Sequence, residues 1–387
     1  MRSRRFLLCL PLAALPLLAL AGCPKKETAP PPPPKPVEPT KVSEEVIQKH
    51  KPNEAGAIMV IMYHRILADQ KDSDLNRRPE TFRQDLETLR KKNYYPVNAI
   101  DLANNTMDVP AGKTPVVITF DDALPSQFRV IERDGKPKID PDSAVGIMED
   151  FNKKYPDWPM RATFFVLPKE GRNAEPFGQS EYLTSKFDYL VNKGYEVANH
   201  TSTHTSMRRM AHDKIQWELA NAKKGVQQIN AKAEMATLAL PYGQIPRDEA
   251  AKKLLVSGSS GGTSYENKAV FLAAWRPVMS PITKPDKKFA QGGSIALFTP
   301  GELERVTPNA TQPNIPGTLE YWLKYFDKSP SLRYISDGDV KFAAVPEALK
   351  DSVDEARAQK QGVKVQFYGG SKGGGAGKVP SGGLSVD

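Results

Sequence analysis

From about residue 55 onward, short unbroken apolar runs alternate with amphipathic stretches, a pattern that predicts an α/β architecture. The runs at 57–63, 115–120, 162–167, 195–198 and 237–240 are predicted strands. Between them, apolar residues recur at helical spacing over 79–92, 144–154, 181–193, 211–231 and 247–255, which are predicted helices. Beyond residue 256 the pattern is sparser: 271–275 and 332–335 have the composition of strands and 317–326 that of a helix. No internal repeat interrupts the order.

Composition changes the picture mainly at the two ends. Hydrophobic residues make up 39% of the 387, normal for a chain with a packed core. The 34 prolines are well above the usual share of about 5%, and many of them cluster before residue 40. Cys9 and Cys23 are the only cysteines, so no disulfide staples the body of the chain. Arg2, Arg4 and Arg5 precede an apolar run over 6–20, which ends in Leu20-Ala21-Gly22-Cys23. The run is short for a membrane span and carries Pro11 and Pro16. This leader resembles a bacterial lipoprotein signal, in which Cys23 is acylated and becomes the first residue; an ordinary secretory leader is the alternative. The expected organisation is a signal peptide at 1–22, a lipidated Cys23 with a Pro-rich tether over 23–54, a single catalytic domain over 55–345, and a C-terminal segment over 346–387 with a disordered Gly-rich tail. The formal charge of +9 suits an anionic envelope surface or a solvated basic face. No aromatic-basic pattern points to nucleic acid, and no protein partner is implied.

Chemistry gathers where the predicted strands end. Asp121 and Asp122 follow the run at 115–120, and adjacent carboxylates at the end of a buried strand need a cation or a proton. His200 and His204 follow the strand at 195–198, four residues apart, a spacing that suits a metal. Thr201 stands where a zincin would have its glutamate. Alone, an Asp pair is as readily a turn or helix cap, and a His pair is often incidental. Leu240-Pro241-Tyr242-Gly243 after the last of the strands completes the set.

In this order and strand context, with Ala162-Thr163-Phe164-Phe165-Val166 between, the motifs resemble the polysaccharide deacetylase family (NodB homology, carbohydrate esterase family 4). The resemblance implies a distorted (β/α) barrel with its site at the C-terminal strand ends. It implies that Asp122, His200 and His204 hold one divalent metal, zinc first, with Co2+, Ni2+ or Fe2+ as alternatives. It assigns Asp121 as general base, and to Tyr242 a backbone N–H that steadies the oxyanion. The family's usual late acid histidine is missing, since no histidine follows His212. His64, in Ile61-Met62-Tyr63-His64, instead resembles the acid of the circularly permuted branch that includes poly-N-acetylglucosamine deacetylases; a structural histidine is the alternative. His50 and His212 read as structural or exposed. Two departures stand out: Ala123 replaces the usual glycine, tolerable where φ stays negative, and the arginine that orients the base is absent from 238–240, so something else must position Asp121. Trp275 and Arg276 are candidates to line the groove, with core packing as the alternative for Trp275.

The implied function is removal of N-acetyl groups from an envelope or extracellular polysaccharide, by a lipid-anchored protein in the bacterial envelope, on the outer membrane or facing the periplasm. O-deacetylation of the same class of glycan and a noncatalytic glycan-binding lipoprotein are the alternatives.

Overall fold

In the computed structural model, which describes residues 41–168, 175–286, 288, 294–309 and 311–370, the predicted strands assemble side by side. The chain runs α1 (Glu44–His50), β1 (Ala57–Tyr63), β2 (Arg65–Ile66), β3 (Asn76–Arg77), α2 (Pro79–Lys91), β4 (Tyr94–Val97), α3 (Ala99–Asn104) and β5 (Thr114–Asp121). A hairpin of β6 (Val130–Arg133) and β7 (Lys136–Ile139) leads to α4 (Ala144–Lys154), β8 (Thr163–Val166), α5 (Leu183–Lys193), β9 (Glu196–Asn199), α6 (His212–Ile229), β10 (Thr237–Ala239) and α7 (Glu249–Val256). A second hairpin, β11 (Ser257–Ser260) and β12 (Thr263–Glu266), precedes β13 (Ala269–Phe271), β14 (Val278–Met279), α8 (Leu319–Lys328), β15 (Phe342–Pro346), α9 (Glu355–Lys360) and β16 (Lys364–Tyr368).

The central sheet orders β13-β10-β9-β8-β5-β1, all parallel, with β14 antiparallel against the start of β1. β4 takes the first part of one β5 edge, from Tyr94↔Thr114 to Val97↔Val117, and β8 takes the rest. The open ends meet through one short extended segment: Leu303 bridges Phe271 of β13 and Val306 bridges Ile61 of β1, both in parallel sense. Leu272 donates its N–H to Leu303 O at 2.7 Å and Met62 to Val306 O at 2.9 Å. The sheet thus curls into the distorted (β/α) barrel that the motifs implied.

Every residue of β1 and β5 is buried, as parallel strands covered on both faces must be. Alternation splits them between two cores. Met59, Ile61 and Tyr63 pack outward with Phe82, Leu86 and Leu89 of α2, Phe151 of α4, Phe187 of α5 and Trp322 of α8. Ile58 and Val60 pack with Val117, Phe165, Ala239, Phe271 and Leu303 in a second cluster. Local signals set the helix ends: Pro79 opens α2, a capping box of Asn98 and Asp101 opens α3, and Gly194 at φ +84° ends α5.

The ends of the chain differ from expectation. Residues 44–50, assigned to the tether, form α1, whose Ile47 is buried with Val42, Phe342 and Ala344. The stretch 364–368 pairs as β16 with β15 in parallel register, and the predicted strand at 332–335 makes only isolated bridges to Ala57 and Asn53. The signal peptide, Cys23, the Pro-rich tether before residue 41 and the Gly-rich tail after 370 lie outside the described residues. Among the described residues no helix is long and apolar enough to cross a membrane.

Candidate active site

The parallel register brings the C-terminal ends of the parallel strands to the same side, so His64 (after β1), Asp121 (last residue of β5), Asp122 (after it), His200 (after β9) and Pro241–Gly243 (after β10) converge. Asp121 is 2% exposed. A bidentate fork from Arg305 holds it, with Nη1 donating to Oδ1 at 2.6 Å and Nη2 to Oδ2 at 2.8 Å. The guanidinium is itself fully buried and also donates to Leu272 O and Thr119 Oγ1. Burial pushes the Asp121 carboxyl up, but Arg305 and His200 outweigh it and hold the group below its ordinary value. Arg305 sits on the very segment that closes the barrel. This arginine supplies from 303–306 the positioning that was missing at 238–240.

Asp122 turns away from the strand at φ +76°, followed by Ala123 at φ +49°. The negative φ that would make alanine easily tolerated here is not adopted, because the reversal that presents Asp122 uses two successive left-handed residues. The strain, about 1–2 kcal/mol for such a residue, is held by the Phe177 N–H bond to Ala123 O at 2.6 Å and by burial of the Ala123 methyl in the core. Asp122 Oδ1 lies 3.1 Å from His204 Nε2 and 3.4 Å from His200 Nε2, yet it is buried without a hydrogen-bond partner. His200 Nδ1 faces Ala239 O at 2.9 Å, so the tautomer that donates there leaves Nε2 with a lone pair toward Asp122. Three donor atoms within 4.8 Å of one another, with an orphaned carboxylate oxygen between two imidazoles, suit a divalent ion. Burial works against ionised Asp122, and the two imidazoles outweigh it and hold the carboxyl well below its usual range. Burial alone would depress His200, whereas the Asp121 and Asp122 carboxylates raise it.

A buried glutamate shapes the loop that carries both histidines. Glu218 of α6 accepts the Ser202 and Thr203 N–H groups at 3.0 and 2.8 Å and the Thr203 hydroxyl at 2.6 Å. Asn199 Oδ1 accepts the Thr201 N–H, and Thr201 Oγ1 accepts that of His204. Thr201 and His204 both adopt positive φ, 69° and 55°, which this network maintains. Glu218→Ala orphans two backbone donors, and we expect any affinity of the cluster for a divalent ion to fall about tenfold, read by calorimetric titration with zinc, cobalt, nickel and iron. Affinity equal to wild type would show that the loop holds its shape unaided.

His64 Nε2 lies 4.0 Å from Asp121 Oδ2, while its Nδ1 is buried without a partner. Gln127, fully buried, ties the two elements together by donating to His64 O at 2.8 Å and Asp121 O at 2.5 Å. Burial pulls the His64 imidazole below its ordinary value, with Asp121 opposing. Tyr242 is exposed at φ +59°, its ring 4.9 Å from that of His204. Trp275 is 59% exposed, and Arg276 is forked onto Glu304. His212 pairs with Asp248 at 2.6 Å, away from the cluster.

Residues 108–256 match the family model described as polysaccharide deacetylase. The match covers less than half of the 387 residues. The matched segment contains Asp121, Asp122, His200, His204 and Tyr242, whereas His64 and Arg305 come from the chain on either side of it. Solved structures with a similar fold include Bacillus anthracis BA0330 (16% identity, 69% of this chain and 68% of that one, TM-score 0.48), the Streptococcus pyogenes deacetylase PplD in complex with acetate (16%, 69% and 97%, 0.47) and IcaB from Ammonifex degensii (17%, 66% and 94%, 0.43). No curated protein matches the chain significantly. Arg305, Glu218 and Gln127 escaped the sequence reading. No spacing rule marks them, because each acts across a long sequence separation or through backbone groups.

Proposed function

We propose that the chain is a metal-dependent deacetylase that removes N-acetyl groups from an N-acetylglucosamine-type envelope or extracellular polysaccharide. The observation that carries it is the buried, unpartnered Asp122 Oδ1 between His200 Nε2 and His204 Nε2, beside an ionised carboxylate locked in place, in a segment that matches the polysaccharide deacetylase family. Asp122, His200 and His204 would hold the ion, zinc first, with Co2+, Ni2+ or Fe2+ able to use the same donors; bound there it acidifies water and polarises a carbonyl oxygen. Asp121, ionised and fixed by Arg305, accepts the proton of the attacking water as its oxygen bonds to the acetamide carbon. The Tyr242 N–H donates to the oxyanion that develops. His64 delivers a proton to the sugar nitrogen as the C–N bond breaks, so acetate and a free amine leave. An acid supplied from the end of β1 is what the resemblance to the circularly permuted branch implies.

Acetate release from an N-acetylglucosamine oligomer, with the protein metal-stripped and then reloaded, tests the reading. No release with any of the four metals would end it. O-deacetylation is the second reading, favoured by the unanchored His64 Nδ1 and by the depressed basicity of that ring, since an alkoxide leaves with less help than an amine. His64→Ala separates the two. We expect it to lower release from the N-acetylated oligomer about a hundredfold and from an O-acetylated one by less than tenfold. Equal losses would remove His64 from proton delivery to nitrogen.

We place the protein at the bacterial envelope, anchored through acylated Cys23, on the outer membrane or facing the periplasm. Cys23→Ser is expected to leave the chain uncleaved at the 22/23 junction, seen by mass spectrometry of its N-terminus; normal cleavage would argue for an ordinary leader.

A further inference from the structure

A groove of about 470 Å3 is lined by residues that directly follow His204 in the chain. Its wall begins at Thr205 and Ser206, next to His204, and includes Gln244, two residues past Tyr242. Arg208, Arg209 and Lys214 supply its charge, and no acid lines it. Neither Arg208 nor Arg209 has an ion-pair partner among the described residues. Lys214 sits 3.3 Å above the Trp217 ring and 3.3 Å from Glu218, whose carboxylate already serves Ser202 and Thr203. The other nearby acids are Asp248, bonded to His212 and to the Ala251 N–H, and Asp213, exposed on the first turn of α6 and not part of the wall.

The cations sit on a fixed loop. Met207 is fully buried with Ile215 and Leu219, Ser206 donates to Gln244, and Arg208 O accepts the Arg247 N–H at 3.3 Å. Two arginines that line one groove, without ion-pair partners among the described residues and on a loop tied down on both sides, give it a positive potential suited to an anion.

Resting on the deacetylase reading, we infer that the substrate is an anionic glycan: a carboxylate or phosphate on a sugar near the scissile acetamide seats on Arg208 and Arg209. The shared chemistry is a multi-oxygen anion matched to guanidinium forks. Binding to the zinc-loaded chain should be measured for three probes: a neutral N-acetylglucosamine hexamer, a hexamer alternating N-acetylglucosamine with glucuronate, and polyglycerol phosphate bearing N-acetylglucosamine. At low salt at least one anionic probe is expected to bind about tenfold tighter than the neutral one, with the preference shrinking in about 0.5 M salt. Which anion wins tells carboxylate from phosphate. In Arg208→Gln/Arg209→Gln the ratio of anionic to neutral affinity falls toward one, and in Arg208→Glu/Arg209→Glu it inverts; melting temperature confirms the fold of each. Equal binding of all probes by the wild type, or an unchanged ratio in both variants, overturns the inference. Acetate release is scored separately: an anionic preference without release from any probe sinks the deacetylase reading and leaves the groove's specificity standing.

Discussion

Asp121→Asn is expected to lower acetate release about a thousandfold while zinc content stays at the wild-type level. In the proposed mechanism the carboxylate that would accept the proton of the attacking water becomes an amide that cannot, while Asp122, His200 and His204 keep their donor atoms. The local geometry survives in part. The Asn carbonyl oxygen can still accept from Arg305 Nη1, which lies 2.6 Å from Asp121 Oδ1, whereas its amide nitrogen faces Nη2, donor against donor. Arg305 keeps Thr119 Oγ1 and Leu272 O as acceptors, but its fully buried guanidinium loses its counter-charge, so the stability cost should be about 3 kcal/mol, the low end for breaking a buried ion pair. Acetate assays with metal analysis on the same sample decide the matter. A rate within tenfold of wild type, with zinc bound, would take Asp121 out of the base role. Lost zinc would instead mean that Asp121 belongs to the metal's own donor set.

The strands and most of the site were legible because both rest on local pattern. The run at 57–63 became β1 with the same bounds, and 144–154 became α4; a continuous apolar run and a helical period each identify their element without tertiary information. Asp121, Asp122, His200 and His204 were visible for a related reason: parallel strands deliver their C-terminal ends together, so residues just past each run must meet. What could not be read depends on partners far along the chain. Arg305 belongs to a segment with one bridge to each neighbouring strand, too short for any period. The positive φ of Ala123 follows from where the Phe177 loop sits, not from the residue itself. α1 carries a serine N-cap at Ser43, but the proline-rich stretch before it drew the tether boundary too far, and only packing on Phe342 and Ala344 gives the helix a reason to form.

Arg305→Met should be the most damaging single change in the barrel, costing about 3–5 kcal/mol. It removes the bidentate partner of a carboxylate that is 2% exposed, leaving Asp121 either charged without its main compensation or protonated. It also frees the segment that joins Phe271 to Ile61. Arg305→Lys should recover little, since one ammonium cannot satisfy both carboxylate oxygens together with Thr119 Oγ1 and Leu272 O. The double variant Asp121→Asn/Arg305→Met separates the two contributions. With no buried charge left, much of the stability should return while acetate release stays lost, giving a coupling energy of about 1–3 kcal/mol in a double-mutant cycle. Denaturant unfolding of the metal-stripped proteins measures it, free of any compensation by a bound cation. Additive losses would show that Arg305 stabilises the barrel seam independently of Asp121. A positioning role toward Asp121 also predicts that Arg305→Met lowers kcat far more than it raises KM, because a fully buried guanidinium offers a substrate no contact.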